Sequence, residues 1–204
     1  MRTFVRERQH NKGFTLVELI VVLVILGIMS AILVPALLGY IDQAKLEAEY
    51  AAGENCRMAA QVELDSLQFA EIRPNYQHQN ITTDGEVCAL WSNSFRQPVI
   101  EMSGQEIYNM VIGVGNYKYY SEIEDLDKAY TVYLVGYQRT KDGPIVFYDG
   151  TSWSQNCPWK NYSPLPSNRN ITVNGETIAV QFYTITYHDI PRPEDFFYKC
   201  MNDY

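Results

Sequence analysis

Residues 14–41 read FTLVELIVVLVILGIMSAILVPALLGYI, and this stretch decides how the rest of the chain is read. From Leu19 to Ile41 there are 23 residues without a charge. At the α-helical rise they cover roughly 34 Å, enough to cross a hydrocarbon core of about 30 Å. Arg2, Arg6, Arg8 and Lys12 precede the run against Glu7 alone, whereas Asp42, Glu47 and Glu49 follow it. That asymmetry predicts a cytoplasmic N-terminus and places everything after Ile41 across the membrane. A cleaved secretory signal has an apolar core of about 7–15 residues and then an A-x-A site. Here the run is longer and ends in Asp42-Gln43-Ala44-Lys45. Topology alone leaves a plain signal anchor open.

Composition removes several classes. The chain has 204 residues, with 16 Lys+Arg against 24 Asp+Glu and a net charge of −8. Because the first 13 residues are basic, the remainder is more acidic still, so no nucleic-acid partner is expected. With 47% hydrophobic residues and 16 tyrosines the chain is too apolar for disorder. Three histidines, one of them (His10) in the basic N-terminus, supply little for a metal site or a triad. Catalytic residues, cofactors and metals are expected to be absent, since no convergent acid, base and nucleophile set is found.

Glu18 is the informative residue. It is the only charge between Lys12 and Asp42, and a carboxylate at the centre of a membrane helix costs on the order of 3 kcal/mol, less near the interface. Snorkelling to the cytoplasmic surface explains why the residue is tolerated but not why it is there. Gly13-Phe14-Thr15-Leu16-Val17-Glu18, followed by the uncharged run, resembles the processing site of type IV pilins and their relatives in secretion and competence systems. The likeness continues through Gly27, Pro35 and Tyr40 to Lys45 and covers about a sixth of the chain.

That resemblance implies a leader, residues 1–13, removed by a prepilin peptidase between Gly13 and Phe14, with the new Phe14 amine methylated. It implies that Glu18 pairs with the amine of a neighbouring subunit during assembly, and that the helix between Gly27 and Pro35 loosens on packing. Partners would be further copies of the chain in a homopolymer, the peptidase and the assembly machinery. The protein would sit in the membrane first and in an extracellular filament afterwards. Opposite charges in a low-dielectric setting offset each other's desolvation, which agrees with the pairing; the residues alone also allow it within one subunit.

Helical character continues past the membrane. Residues 43–70 are rich in Ala, Glu, Leu and Gln. Ala52, Cys56, Ala59, Ala60, Leu64 and Leu67 share one side, and small residues there let a sheet approach closely. The helix should stop before Pro74. The segments expected are a transmembrane and polymerisation helix over 14–41, the outer half of the spine over 42–73, and a globular headgroup over 74–204. In that headgroup 71–102 reads as irregular and Ser103 to Gly115 as a short helix capped by Ser103. Strands follow at 130–137 and 145–148, joined by Asp142-Gly143, and Asn174-Gly175 makes a hairpin between 171–173 and 177–187. The expected fold is α+β: a long N-terminal helical spine packed against an antiparallel sheet of four or five strands.

Cys56, Cys88, Cys157 and Cys200 are an even count outside the cytoplasm, which suggests two disulfides and leaves three connectivities. The non-nested choice, Cys157–Cys200 with Cys56–Cys88, resembles the C-terminal disulfide loop of many pilins. Glu122, Glu124, Asp125 and Asp127 lack the order of an EF-hand loop and read as a solvated acidic turn. The function expected is a non-enzymatic pilus subunit for adhesion, motility or attachment. A minor pilin or pseudopilin is the alternative, and a membrane-anchored binding protein the remoter one.

Overall fold

The computed structural model describes residues 14–75, 87–90, 93–158 and 168–186. The chain divides into two units, Met1–Lys45 and Leu46–Tyr204, and one helix, α1 (Leu16–Phe69), contributes to both. In the first unit α1 is apolar all round, and every large apolar side chain from Leu16 to Ile41 is exposed. Among the described residues α1 is the helix long and apolar enough to cross a membrane. It runs through Gly27, Pro35 and Gly39 as a single element. Pro35 still removes one backbone hydrogen bond there, because it has no N–H to donate.

The second unit is an α+β domain. Its sheet has six antiparallel strands: β3 (Asn109–Gly115), β4 (Val132–Gln138), β5 (Ile145–Tyr148), β6 (Trp153–Ser154), β7 (Asn168–Val173) and β8 (Glu176–Thr186). Their spatial order is β6-β5-β4-β3-β8-β7. A short parallel pair, β1 (Arg73–Asn75) with β2 (Val87–Ala89), stands apart from it. The helices α2 (Asn93–Ser103), α3 (Tyr117–Glu122) and α4 (Leu126–Ala129) fill the connections. The expected 174–175 turn is present: Asn174 and Gly175 both have positive φ, 52° and 83°, as a type I′ turn requires. Asp142-Gly143 likewise lies in the connection between antiparallel β4 and β5.

The outer part of α1 meets the sheet through its small side chains. Ala52, Gly53, Cys56, Ala59, Ala60, Leu64 and Leu67 are buried in one core with Val135, Tyr137, Phe147 and Ile185. At Gly53 the approach is so close that a Cβ would lie 2.6 Å from the Trp153 ring. Polar side chains fix the packing at its margins. The Gln61 amide donates to the Tyr130 carbonyl (2.9 Å) and accepts from the Val132 N–H (2.9 Å), so a helix side chain closes the start of β4. Glu54 accepts from Arg57 Nε (2.9 Å) and from Trp153 Nε1 (2.8 Å), while the Arg57 guanidinium lies 5.0 Å from the Tyr148 ring centre. These contacts align the helix with β5 and β6.

At its far end α1 closes with a Schellman-type cap. Glu71 takes φ 57°, and the Ile72 N–H reaches back to the Leu67 carbonyl at 2.8 Å. The helix thus stops just ahead of Pro74, as the proline demands.

Three expectations need correction. The sheet has six strands rather than four or five, because Asn109–Gly115 and Trp153–Ser154 join the four legible in the sequence. Residues 103–115 are not a helix: Ser103 ends α2, Gly104 follows at φ 59°, and Asn109–Gly115 is the fully buried strand β3. Ile107, Met110, Val111 and Val114 fit a helical face, but a continuous apolar run buried on both faces fits a central strand as well. The glycines decide between them, because β3 is crowded. A Cβ at Gly113 would lie 3.0 Å from Leu134, and one at Gly115 would lie 1.8 Å from the Lys128 carbonyl oxygen. The stretch 71–102 is also less irregular than expected, since it holds β1, β2 and α2. Pro98 inside α2 masked that helix in the sequence.

Two measurements test this packing. Gly115→Ala should destabilise the full chain by about 1–3 kcal/mol, because backbone rather than a pliable side chain opposes the new methyl. In detergent its thermal midpoint should fall by about 2–4 °C per kcal/mol, and an unchanged midpoint would show that β3 lies further from Lys128. Glu54 gives a pH test. The Arg57 hydrogen bond holds its carboxyl below the ordinary value of 4.5 against the opposing effect of burial, with help from Trp153. A lowered folded value stabilises the fold above 4.5, and that contribution disappears as pH falls through the folded value. As pH falls below 4.5 wild type should therefore lose stability more steeply than Glu54→Gln. Parallel pH curves would remove Glu54 as a stabilising ion.

Candidate functional site

The N-terminal turn of α1 contains the residues singled out in the sequence. Thr15 precedes the first helical residue, Leu16, and Glu18 lies three positions after Thr15. Glu18 Oε2 accepts from the Thr15 N–H at 2.9 Å and from the Thr15 hydroxyl at 2.7 Å. In return the Glu18 N–H donates to Thr15 Oγ1 at 3.3 Å. This is a capping box: N-cap Thr and N3 Glu each satisfy a backbone donor that the helix start leaves unpaired. The positive end of the helix dipole adds to the attraction.

This use of Glu18 was not among the expectations above, although the T-x-x-E spacing ahead of an apolar run is its legible signal. The box occupies only one carboxylate oxygen. Glu18 Oε1 takes no hydrogen bond from the described residues, and the group is exposed. One side chain thus caps its own helix and still presents an acceptor outward. Phe14, directly before the cap, is 84% exposed.

The other predicted residues fall in several places. Gly13 and the basic leader lie outside the described residues. Gly27 has open space where a Cβ would stand, so among the described residues its small size serves no contact. Pro35 is carried inside the helix two turns further on. Phe14, Thr15 and Glu18 thus share the first turn of α1, whereas Gly27 and Pro35 lie further along the same helix.

The cysteines lie in the second unit. Cys56 is a fully buried thiol on the sheet-facing side of α1. Burial pushes its pKa up to about 11, with the Ser103 and Tyr137 hydroxyls beside it acting the other way. A thiol held this far toward its neutral form is a poor nucleophile. Cys157 is buried as well. Cys200 and the side chain of Cys88 lie outside what is described, and the two expected pairings with them. In the acidic turn Asp125 takes an ion pair from Lys128 at 2.8 Å, and Glu176 pairs with the same lysine. Asp127 accepts from Gln68 at 2.8 Å. Among the described residues no three His, Cys, Asp or Glu side chains are grouped to hold a metal ion.

Comparison with known proteins agrees with this geometry at the N-terminus. The family described as a prokaryotic N-terminal methylation motif matches residues 8–34, which include Gly13, Phe14, Thr15, Glu18 and Gly27. With the helix-and-sheet fold, this likeness supports a type IV pilin-like protein. It is similar to the type II secretion system core protein G of Pseudomonas aeruginosa, with 41% identity over 61 residues. The match takes in 30% of this chain and 42% of that protein, so it spans less than half of the relative's length. No solved structure matches the chain.

Proposed function

We propose that this protein is a non-enzymatic subunit that is inserted in a membrane, processed after Gly13 and polymerised through its N-terminal helix into a type IV pilus filament. The observation that carries the reading is the N-terminal constellation. A methylation motif over residues 8–34 sits on a helix apolar enough to span a membrane, with one carboxylate at its start. An exposed apolar surface without a charge from Leu19 to Ile41 needs lipid or neighbouring helices around it. The acidic α+β unit would form the outer surface. Phe14 is then the methylated N-terminal residue, and Glu18 Oε1 meets the amine of the next subunit. A second reading, a pseudopilin of a secretion system, is favoured by the likeness to core protein G.

Three outcomes are expected. N-terminal sequencing of the mature protein should begin at Phe14, and a start at Met1 or beyond Tyr40 would sink the processing step. Glu18→Leu should insert, fold and be cleaved as wild type, losing only the local capping box at the helix start. It should nevertheless fail to assemble, because each incoming amine would stay unpaired in a dry contact. Yield of sheared filaments, with electron microscopy and mass spectrometry of their subunit, reads both this variant and the choice between pilus and pseudopilin. Wild-type yield from Glu18→Leu would return the residue to a helix cap and nothing more.

A disulfide between Cys157 and Cys200 is the remaining proposal for the headgroup. Closing a loop of this size contributes about 4 kcal/mol in the chain-entropy model. Non-reducing peptide mapping should find that pair, and reduction should lower the thermal midpoint. Recovery of both cysteines as thiols from oxidised protein would remove it.

A further inference from the structure

The two ends of the six-stranded sheet do not pair with each other, but they touch. Three strands separate β5 from β7 in the sheet order. The turn between β5 and β6 nevertheless reaches β7. A Cβ on Gly150 would lie 2.7 Å from a Val173 methyl and 3.3 Å from the Tyr133 carbonyl oxygen. Gly150, at φ 97°, is the residue that lets the two ends meet. Beside this contact lies a cavity of about 380 Å³. Its polar lining comes from Asp149 and Thr151 on one side of the seam and from Thr172 and Asn174 on the other. Leu134 and Ile171, both buried, contribute apolar surface.

The protein uses these polar groups only in part. Asp149 Oδ1 accepts from the Thr151 N–H (2.9 Å), the Thr151 hydroxyl (2.7 Å) and the Ser152 N–H (2.9 Å). Among the described residues Asp149 Oδ2, the Thr172 hydroxyl and the Asn174 amide have no hydrogen-bond partner. Burial disfavours the Asp149 charge, yet the donors from Ser152 and Thr151 outweigh it and hold the carboxyl below its ordinary 3.8. The seam thus offers a fixed anionic acceptor, a hydroxyl that donates and accepts, and an amide that does both.

We propose that this cavity binds one neutral sugar ring. A hydroxyl-rich ring brings donors to Asp149 Oδ2 and both donors and acceptors to Thr172 and Asn174, while its C–H groups pack on Leu134 and Ile171. Other ligand classes fit worse. An anion would meet the Asp149 carboxylate with no cationic side chain in the lining to offset it. A purely apolar ligand would take water from Asp149 without replacing its hydrogen bonds. A metal ion would need more ligands, and among the described residues no three His, Cys, Asp or Glu side chains are grouped to supply them. The volume lies near the lower end of the roughly 300–1,000 Å³ of ligand pockets, which suits a single ring. One ring with a handful of hydrogen bonds calls for a dissociation constant in the millimolar range. A free monosaccharide and the end of a glycan chain share this chemistry.

The test uses the full chain in micelles of a zwitterionic detergent that has no sugar headgroup. Saturation-transfer NMR reads glucose, galactose and N-acetylglucosamine, each with its methyl glycoside, beside glucuronate and glucosamine. At neutral pH at least one of the three neutral sugars should give a saturable signal and glucuronate none. Thr172→Val with Asn174→Gly removes a hydroxyl and an amide, yet keeps a β-branched strand residue and one suited to the positive φ of the turn. That pair should raise the dissociation constant about tenfold at an unchanged thermal midpoint. If the pair melts early, Thr172→Val alone should still raise it about threefold. Ser121→Ala on α3 should change neither quantity. A methyl glycoside that binds like its free sugar marks a glycan end as the ligand, whereas one that fails to bind marks a free monosaccharide. Both support the site. Binding of glucosamine or glucuronate alone, equal binding by wild type and both variants, or no saturable signal well above the millimolar range would overturn it. The readout involves no assembly, so its failure leaves the proposed function standing.

Discussion

Everything in the headgroup depends on how closely helix α1 can lie on the sheet. Ala52, Gly53, Cys56, Ala59 and Ala60 keep side-chain bulk out of the contact, so Tyr137, Phe147 and Ile185 from the sheet fill it instead. A larger residue at any of these positions would lift the helix and break directional bonds at the margins. Gln61 reaches the Tyr130 carbonyl and the Val132 N–H at the start of β4, and Glu54 reaches Trp153, only at the present separation. The apolar contact supplies the driving force. The polar side chains convert it into one alignment, because unsatisfied buried donors and acceptors make the alternatives costly.

The elements legible in the sequence were those whose local chemistry admits a single reading. The uncharged run after Glu18 had no competing fold, and the small-residue stripe from Ala52 to Leu67 follows from helical periodicity alone. Asn174-Gly175 was legible because two successive positive φ angles call for that pair. The stretch Asn109–Gly115 was not, because an apolar run fits a strand or a helix equally until its neighbours are known. Gly115 holds the decisive information, and it is tertiary: the carbonyl of Lys128, thirteen residues away, occupies the place of a side chain. Helix α2 was hidden for a different reason, since Pro98 is locally discouraging and only the burial of Phe95 and Val99 outweighs it.

At the candidate site the residue was found in the sequence and its immediate partner was not. Glu18 stood out because a lone carboxylate before an apolar run demands a compensating interaction. That demand is met first by Thr15, through a motif that is local and complete within four residues. A capped carboxylate is cheaper to keep in a weakly polar setting than an isolated one, so the box makes the charge tolerable in the single chain.

Capping also constrains what Glu18 can do for a neighbour. With Oε2 engaged by Thr15, an outside cation can reach Oε1 without displacing either bond, so intrachain and interchain roles need not compete. The carboxylate is held on the first helical turn rather than free to swing, which lowers the entropy lost when a second partner arrives. A leader still joined to Phe14 offers an amide in place of an amine, with no charge for that oxygen to meet. Cleavage would thus change the chemistry at the helix start from neutral to cationic while leaving the acceptor where it already stands.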